Sequence, residues 1–371
     1  MPQPITHYLV IKNSLNNSLK DLWDTNNNFA SLGSFGPDLF YTKDILNSNS
    51  NKEYGLVSDV MHWEASYTFF CFMLDYIKKV IIDNPPIQNK MKAFVYGYYS
   101  HVLTDVIFHP FIYRITGDHW RLHNILENEL NHKKLEAKID CFLLRKDSNL
   151  NPFELEYYSR IQCSQVNDSD KLDKDIFLML KQCLKNIYEN LVNNELDFKK
   201  INTNYHGLFE KVSDNDEDHP IHDAYHDFVE SIKLLYKLES FLQLVPNDRL
   251  KALLPIKELT SEEEQEMKLL HIIGNNVGQK KYTFSDLFEL AIKATVKIIE
   301  CCEAFLQLDS TTAKEFFLNL SDKPVYLGED FCLDSGLPCS LNKDWNLVYP
   351  SRDICYGVFT DEINKNYEKI I

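Results

Sequence analysis

Long stretches of helical periodicity constrain the fold of this chain more than any other feature of its sequence. Apolar residues recur at three-to-four spacing, with few internal Gly or Pro, in five segments: 88–109, 121–145, 172–193, 220–243 and 283–308. Amphipathic helices of this kind bury their apolar faces against one another. The sequence therefore predicts an all-α fold, a multi-helix bundle.

The C-terminal end departs from this pattern. After about residue 320, Pro and Gly interleave with Tyr, Phe and Val, which is typical of turns and short strands. We predict a helical domain over residues 1–320, followed by an irregular or small β-containing appendage over 321–371. Two turn-rich breaks near the other end, 31–38 and 47–52, are predicted to be loops of a functional site.

The charge of the chain limits its partners. Its 371 residues include 39 Lys+Arg and 55 Asp+Glu, which gives a net charge of −16. Such a charge disfavours a broad surface for nucleic acid or for anionic membranes, so we expect no nucleic-acid partner and a zwitterionic or small substrate. No stretch approaches the roughly 18 apolar residues that a membrane-spanning helix requires, so no transmembrane segment is predicted.

Three potential metal ligands follow one another at helical spacing. His101, Asp105 and His109 are four residues apart, and each such step turns a helix by only about 40°, so all three share one stripe. Histidine nitrogens and carboxylate oxygens suit Zn²⁺, and a central Asp can bridge two ions. A single His-xxx-Asp is more often a pair of buried polar residues, but a third ligand in register favours a metal site. Pro110 disfavours helical geometry at His109, so we expect the helix to kink or end there.

A second set of potential metal ligands has the same helical spacing. His132 and Glu136 are one turn apart, and Asp140, a further turn along, is placed to fix the geometry of those ligands. His123 and Glu127 have the same spacing. Spacing alone does not separate the two pairs.

Together these stripes resemble the zinc-dependent phospholipase C family, which is related in fold to the S1/P1-type nucleases. Members carry a His-xxx-Asp followed closely by another His, and then a His-xxx-Glu-xxx-Asp. The longer pattern fits His132, Glu136 and Asp140, whereas His123 and Glu127 are followed by Asn131 where the Asp is expected. The resemblance covers roughly residues 5–145.

Three shorter motifs agree with the family in chain order. They are Thr6-His7-Tyr8, the run from Gly33 to Phe40 with its Asp38, and Ser58-Asp59-Val60-Met61-His62-Trp63. Secreted members complete the site at the early His with a processed N-terminal Trp, and this sequence has no Trp before His7.

The resemblance implies eight ligands for up to three zinc ions: His7, Asp38, His62, His101, Asp105, His109, His132 and Glu136. By this resemblance one ion takes Asp38, His62, His101 and Asp105. A second ion shares Asp105 and takes His7. The third takes His109, His132 and Glu136. Histidines His222 and His226, again one turn apart, are outside candidates for a substitute ligand, although a polar helix start with solvated histidines explains them better.

The same resemblance implies a phospholipase C. The expected reaction cleaves the glycerol-side phosphodiester bond of a glycerophospholipid such as phosphatidylcholine at a membrane surface, with Asp38 orienting or deprotonating the attacking water. Two alternatives stay open. One is a single-strand nuclease on the same metal fold, which the charge disfavours, and the other is a non-catalytic helical interaction module.

The first residues of the sequence lack the basic and long apolar regions of a Sec-type signal. We therefore expect synthesis in the cytoplasm. The lipid-degrading activity that the resemblance implies leads to a further hypothesis, that a dedicated secretion system delivers the protein to a host cell as a bacterial effector.

Overall fold

Helices dominate the structure, a computed structural model. It describes residues 4–41, 57–58, 61, 66–80, 84–116, 125–165, 168–193, 219–237, 256–273 and 281–307. The all-α prediction is confirmed. The predicted appendage over 321–371 and the loop over 47–52 lie outside these ranges.

The described residues form nine helices of nine residues or more. Eight of them are long: α1 (Pro4–Ser18), α2 (Lys20–Gly33), α3 (Ser66–Val80), α4 (Pro85–Thr116), α5 (Ile125–Ser148), α8 (Lys174–Asn193), α9 (Pro220–Lys237) and α11 (Phe284–Gln307). The ninth, α10 (Ser261–Leu269), has nine residues, and two single-turn helices, α6 (Pro152–Leu155) and α7 (Tyr157–Arg160), follow α5. A 3-10 turn, Gly36–Asp38, follows α2.

Strands play a small part in the described structure. The pairs β1 (Ser164–Gln165) with β2 (Asp168–Leu172) and β3 (His271–Ile273) with β4 (Lys281–Thr283) are both antiparallel. None of the helices in the described ranges combines the length and the apolar character that crossing a bilayer requires.

Helix α4 is the centre of the bundle. It packs against α1, α2, α3, α5, α8 and α11, and long runs of its side chains are buried, among them Phe94, Tyr98 and Tyr99. A helix that is apolar on nearly all sides belongs in a core. Polar side chains in the middle of α4, such as His101 and Thr104, are therefore carried into the interior of the protein.

The expectation that α4 kinks or ends at His109 is wrong as to the end, because the helix continues through Pro110 to Thr116. Proline removes one backbone hydrogen bond and disfavours helical geometry before it. Ile112, two residues after Pro110, is only 3% exposed. Burial of this side chain favours continuation of the helix against the local preference of the proline.

Helices α2 and α4 approach each other closely at two glycines. A Cβ atom on Gly33 would lie 2.0 Å from the carbonyl oxygen of Phe94, and one on Gly97 would lie 2.2 Å from the carbonyl oxygen of Ala30. Only glycine permits this backbone contact. It brings the end of α2, and the 3-10 turn after it, against the middle of α4.

Helices α1 and α5 run parallel with carboxylate contacts at two levels. Asp140 of α5 accepts hydrogen bonds from the start of α1 at Ile5 and Thr6. Seven residues further along both helices, Asp147 contacts Lys12 and Asn13. The two contacts fix the register of the helices relative to each other.

Candidate metal centre

His101 and Asp105 face each other across one turn of α4. The Nε2 atom of His101 lies 3.3 Å from Oδ2 of Asp105. His101 is fully buried, whereas the Asp105 side chain is 12% exposed. The first two members of the stripe predicted from the sequence therefore lie together, and Asp105 is the one nearer the surface.

Helix α1 brings a second imidazole to the same carboxylate. The Nε2 atom of His7 lies 3.3 Å from Oδ1 of Asp105, so each oxygen of Asp105 faces a different histidine. The His7 and His101 rings stack with centroids 4.0 Å apart and planes 13° from parallel. Residues nearly a hundred positions apart in the chain thus form one cluster.

Asp38 enters from the 3-10 turn that follows α2. The turn holds Asp38 through the bond from its backbone N–H to the carbonyl of Phe35, and its side chain is fully buried. Its Oδ2 lies 4.0 Å from Nε2 of His101. The sequence-predicted ligand Asp38 is therefore beside the His101–Asp105 pair.

A backbone carbonyl orients His101. Its Nδ1 lies 2.9 Å from the carbonyl oxygen of Ser34, and since a carbonyl only accepts, Nδ1 carries the hydrogen and donates. The lone pair of the neutral ring is then on Nε2, which faces the carboxylates. Outer contacts of this kind fix the tautomer and direction of metal-binding histidines.

The two histidines differ in charge preference. Burial, together with the neighbouring His101, lowers the pKa of His7 to about 4 despite the opposing effect of Asp105. Burial also acts to lower the pKa of His101, but Asp105, Asp38 and the Ser34 carbonyl outweigh it, so this pKa is raised. Without a metal ion His7 is neutral at pH 7. The carboxylates of Asp105 and Asp38 favour the protonated form of His101.

The cluster fits a zinc ion in donor type and in spacing. Ligand atoms of His7, His101 and Asp105 all lie within 4.8 Å of one another. Tetrahedral zinc with bonds near 2.1 Å places its ligand atoms about 3.4 Å apart, close to the two 3.3 Å separations at Asp105. The Nδ1 atom of His7 is buried and has no hydrogen-bond partner among the described residues, so no described contact holds the lone pair of this ring away from Nε2, the nitrogen that faces Asp105.

Helix α5 carries a second buried pair. The Nε2 atom of His132 lies 2.8 Å from Oε1 of Glu136, and the two residues are 6% and 3% exposed. Their one-turn spacing agrees with the predicted ligand pair. Asp140, one turn further along, contacts the start of α1, as described above.

The remaining predicted ligands lie wholly or partly outside the described structure. His62 and His123 are outside the described residues. His109 and Glu127 lie on α4 and α5, where only the backbone is described. Their part in a metal site stays a prediction.

The outside candidates His222 and His226 lie on α9, and the contacts described for them are with other parts of the fold. His222 accepts a hydrogen bond from the backbone N–H of Leu172 through Nδ1, and its ring stacks on Phe177 at 4.2 Å. His226 is 3.5 Å from Asp170 and 42% exposed. These contacts join α9 to the β1–β2 hairpin and to α8.

Sequence reasoning missed two contributions to the site. The Ser34 carbonyl is a backbone group and leaves no residue signal, although Gly97 in the middle of a helix was a sign of close packing nearby. The donors that Asp140 receives, Ile5 and Thr6, are about 135 residues away from it. Only the folded chain reveals that pairing.

Comparison with known proteins gives one match. Residues 6–190, about half of the chain, match the family model described as zinc dependent phospholipase C. The match continues into α8, well past residue 145, where the resemblance of the motifs ended. No curated protein and no solved structure gives a significant match.

Proposed function

This chain belongs to the zinc-dependent phospholipase C family, and from that premise we propose that it hydrolyses a glycerophospholipid to diacylglycerol and a phosphorylated head group. In this reaction the oxygen of water forms a bond to phosphorus and the bond from phosphorus to the glycerol oxygen breaks. The departing oxygen takes up a proton to give diacylglycerol. The single observation that carries the proposal is the convergence of His7, His101 and Asp105 on one small volume.

These side chains are suited to hold zinc. Two imidazoles and the carboxylates of Asp38 and Asp105 offer nitrogen and oxygen donors, and His132 and Glu136 offer a further pair. Zinc bound here supplies Lewis acidity toward a phosphodiester. The proposal includes up to three ions.

Asp38 is proposed as the residue that orients or deprotonates the attacking water. Its carboxylate is fully buried and lies near His101, where a water molecule within hydrogen-bond distance would be shielded from bulk solvent. A carboxylate so placed can accept a proton from water and return it to the departing oxygen. Asp105, which is partly exposed, marks the side from which substrate reaches the cluster.

The charge of the chain supports a lipid head group without net charge over a polyanion. A nuclease needs basic surfaces and exposed stacking residues along a strand, and a net charge of −16 repels one. Phosphatidylcholine is therefore the proposed substrate class. Delivery to a host cell stays a prediction, tested by locating the protein in producing and neighbouring cells.

The test combines metal content with turnover. We expect Asp105→Asn to lose zinc and at least about 100-fold of its diacylglycerol release from phosphatidylcholine, because changes even to the outer partners of metal ligands typically cost 10–100-fold. The matched control is Asp75→Asn, since Asp75 is an aspartate on α3 that pairs with Lys79 at the surface. It should retain both zinc and activity.

Phosphatidylglycerol and single-stranded DNA complete the substrate panel. Zinc-dependent cleavage of DNA without lipid turnover would move the assignment to a nuclease. Bound zinc with no turnover of any of the three substrates would contradict the enzymatic proposal and favour a structural role for the metal.

A further inference from the structure

The start of helix α1 is held by a side chain from another helix. Pro4, the first residue of α1, has no N–H group. The next two N–H groups both donate to Asp140, from Ile5 to Oδ2 at 2.9 Å and from Thr6 to Oδ1 at 2.8 Å. Asp140 thus does from α5 what an N-cap residue does within its own helix.

A third donor completes the contact. The hydroxyl of Thr6 donates to Oδ1 of Asp140 at 2.5 Å. Both residues are buried, with Asp140 3% and Thr6 7% exposed. A buried carboxylate is costly unless its oxygens are satisfied, and here three donors and the positive end of a helix stabilise it.

The next residue along α1 is His7. Because a helix is stiff over one residue, a shift of the backbone at Thr6 moves the His7 imidazole, which stacks on His101 at 4.0 Å and faces Asp105 at 3.3 Å. Asp140 is also one turn beyond Glu136 on α5. One carboxylate therefore joins the helix that carries His132 and Glu136 to the helix that carries His7.

We propose that Asp140 is a positioning residue for His7, setting the place of α1 so that this histidine completes the metal cluster. The proposal rests on the metal-binding part of the proposed function and assigns Asp140 a different task from the one expected from spacing, which was to fix His132 and Glu136. It predicts that loss of the Asp140 carboxylate weakens metal binding through His7 without altering any ligand.

Asp147→Asn provides a matched control. Asp147 lies on the same helix, contacts the same partner helix through Lys12 and Asn13, and is seven residues from Asp140, away from the cluster. Both substitutions weaken the packing of α1 on α5. Only Asp140→Asn disturbs the end of α1 that carries His7.

The experiment measures zinc binding to the full-length chain by competition with a chromophoric chelator. We expect Asp140→Asn to weaken the affinity of one zinc site by about 10- to 100-fold, and to change the visible absorption of the cobalt-substituted protein. Asp147→Asn should leave both unchanged at a similar loss of thermal stability. If Asp140→Asn does not fold, Thr6→Val serves instead, because it removes one of the three donors to Asp140. We expect it to weaken the affinity of the same zinc site by a smaller factor.

The outcomes separate this inference from the enzymatic proposal. Equal zinc affinity and equal cobalt spectra in the Asp140 and Asp147 variants would overturn the positioning role, even in an active phospholipase. Conversely, a wild-type chain that binds zinc but turns over no lipid contradicts the enzymatic proposal alone. A wild-type chain that binds no zinc contradicts both.

Discussion

At the scale of single residues, the pKa values of the two stacked histidines are shifted in opposite directions. The pKa of His7 is lowered to about 4 by burial and by its neighbour His101, and that of His101 is raised by the carboxylates around it. A metal ligand must have a free lone pair. His7 meets that condition at neutral pH even in the metal-free protein.

This asymmetry predicts a pH dependence of stability in the metal-free protein. An unfolded chain binds a proton at His7 near pH 6.5, whereas the folded chain binds it only near pH 4. The stability that His7 contributes is therefore present above pH 6.5 and is lost as the pH falls toward 4, by at most about 1.4 kcal/mol per pH unit. Chemical denaturation of the wild type and of His7→Gln between pH 8 and 5 measures it.

Comparison of the two chains removes the contributions of titratable groups that do not contact His7. Burial raises the pKa of Asp140 to about 7 against the donors at Thr6 and Ile5, an effect of opposite sign over the same range, but Asp140 is present in both chains and cancels. We expect the wild type to lose more stability than His7→Gln as the pH falls. A difference that does not vary with pH would contradict the prediction.

How much of the site could be predicted depends on how local each contact is. His101 with Asp105, and His132 with Glu136, follow from one-turn spacing because a helix alone places such pairs together. The roles of His7 and Asp38 needed the resemblance to a family. No periodicity joins Asp140 to Thr6, because that contact exists only after α1 and α5 have packed.

At the scale of helices, the crossing of α2 and α4 determines the site. It places the Ser34 carbonyl 2.9 Å from His101 and leads directly into the turn that carries Asp38. Two glycines make the crossing possible, and Gly97 occupies the middle of a helix, where glycine costs about 0.5–1 kcal/mol relative to Ala. Close packing must offset that cost.

Replacement of Gly97 by Ala tests this account, because helix propensity and packing predict opposite signs. Propensity alone predicts a gain in stability. The added Cβ, however, would lie 2.2 Å from the carbonyl oxygen of Ala30 and 2.7 Å from the backbone nitrogen of Ser34, and backbone atoms cannot yield as a side chain can. We expect a net loss of roughly 1–3 kcal/mol, measured by urea denaturation, together with weaker zinc binding.

Gly36→Ala is the control for that substitution. Its added Cβ would meet a side-chain atom of Tyr98 at 3.3 Å, and its three nearest neighbours are all side-chain atoms, so the overlap is much smaller than at Gly97. We expect a change in stability below about 1 kcal/mol. If Gly97→Ala were as mild as Gly36→Ala, the glycine contact would not be what holds the Ser34 carbonyl in place.

The helix predictions succeeded where periodicity is long and were weaker where local residues compete with tertiary packing. The five predicted segments correspond to α4, α5, α8, α9 and α11, with shifted ends. The glycines near residue 33 predict a turn, and α2 does end at Gly33, where the absent side chain also allows the close contact with Phe94. Pro110, by contrast, lies inside α4 and does not mark a helix end.

At the scale of the whole molecule, the family match and the folded bundle do not end at the same place. The match stops at residue 190, but α11 packs against α1, α3 and α4. Glu303 accepts hydrogen bonds from Tyr96 at 2.6 Å and Lys92 at 2.9 Å. Helix α9 contributes as well, since Phe228 stacks on Phe35 at 4.6 Å, three residues before Asp38.

A chain shortened to residues 1–190 is therefore expected not to fold cooperatively. Seven large apolar side chains of α11 between Phe284 and Phe305 are less than 9% exposed, and burial of each contributes about 1.5–3 kcal/mol. Their sum, roughly 10–20 kcal/mol, matches or exceeds the typical total stability of a domain, about 5–15 kcal/mol. Removing α11 also uncovers the apolar faces of α1 and α4, the two helices that carry His7, His101 and Asp105.

Circular dichroism during thermal unfolding, with zinc counted per chain, tests this expectation. The full-length chain should unfold in one sharp transition and bind zinc, whereas the 1–190 chain should unfold gradually and bind zinc weakly. A sharp transition and full zinc content in the shortened chain would mean that the matched region is stable by itself. In that case α9 and α11 would only cover a site that forms without them. We expect the opposite, because the hydrogen bonds that Glu303 of α11 accepts from Tyr96 and Lys92 of α4 tie the site to both halves of the chain.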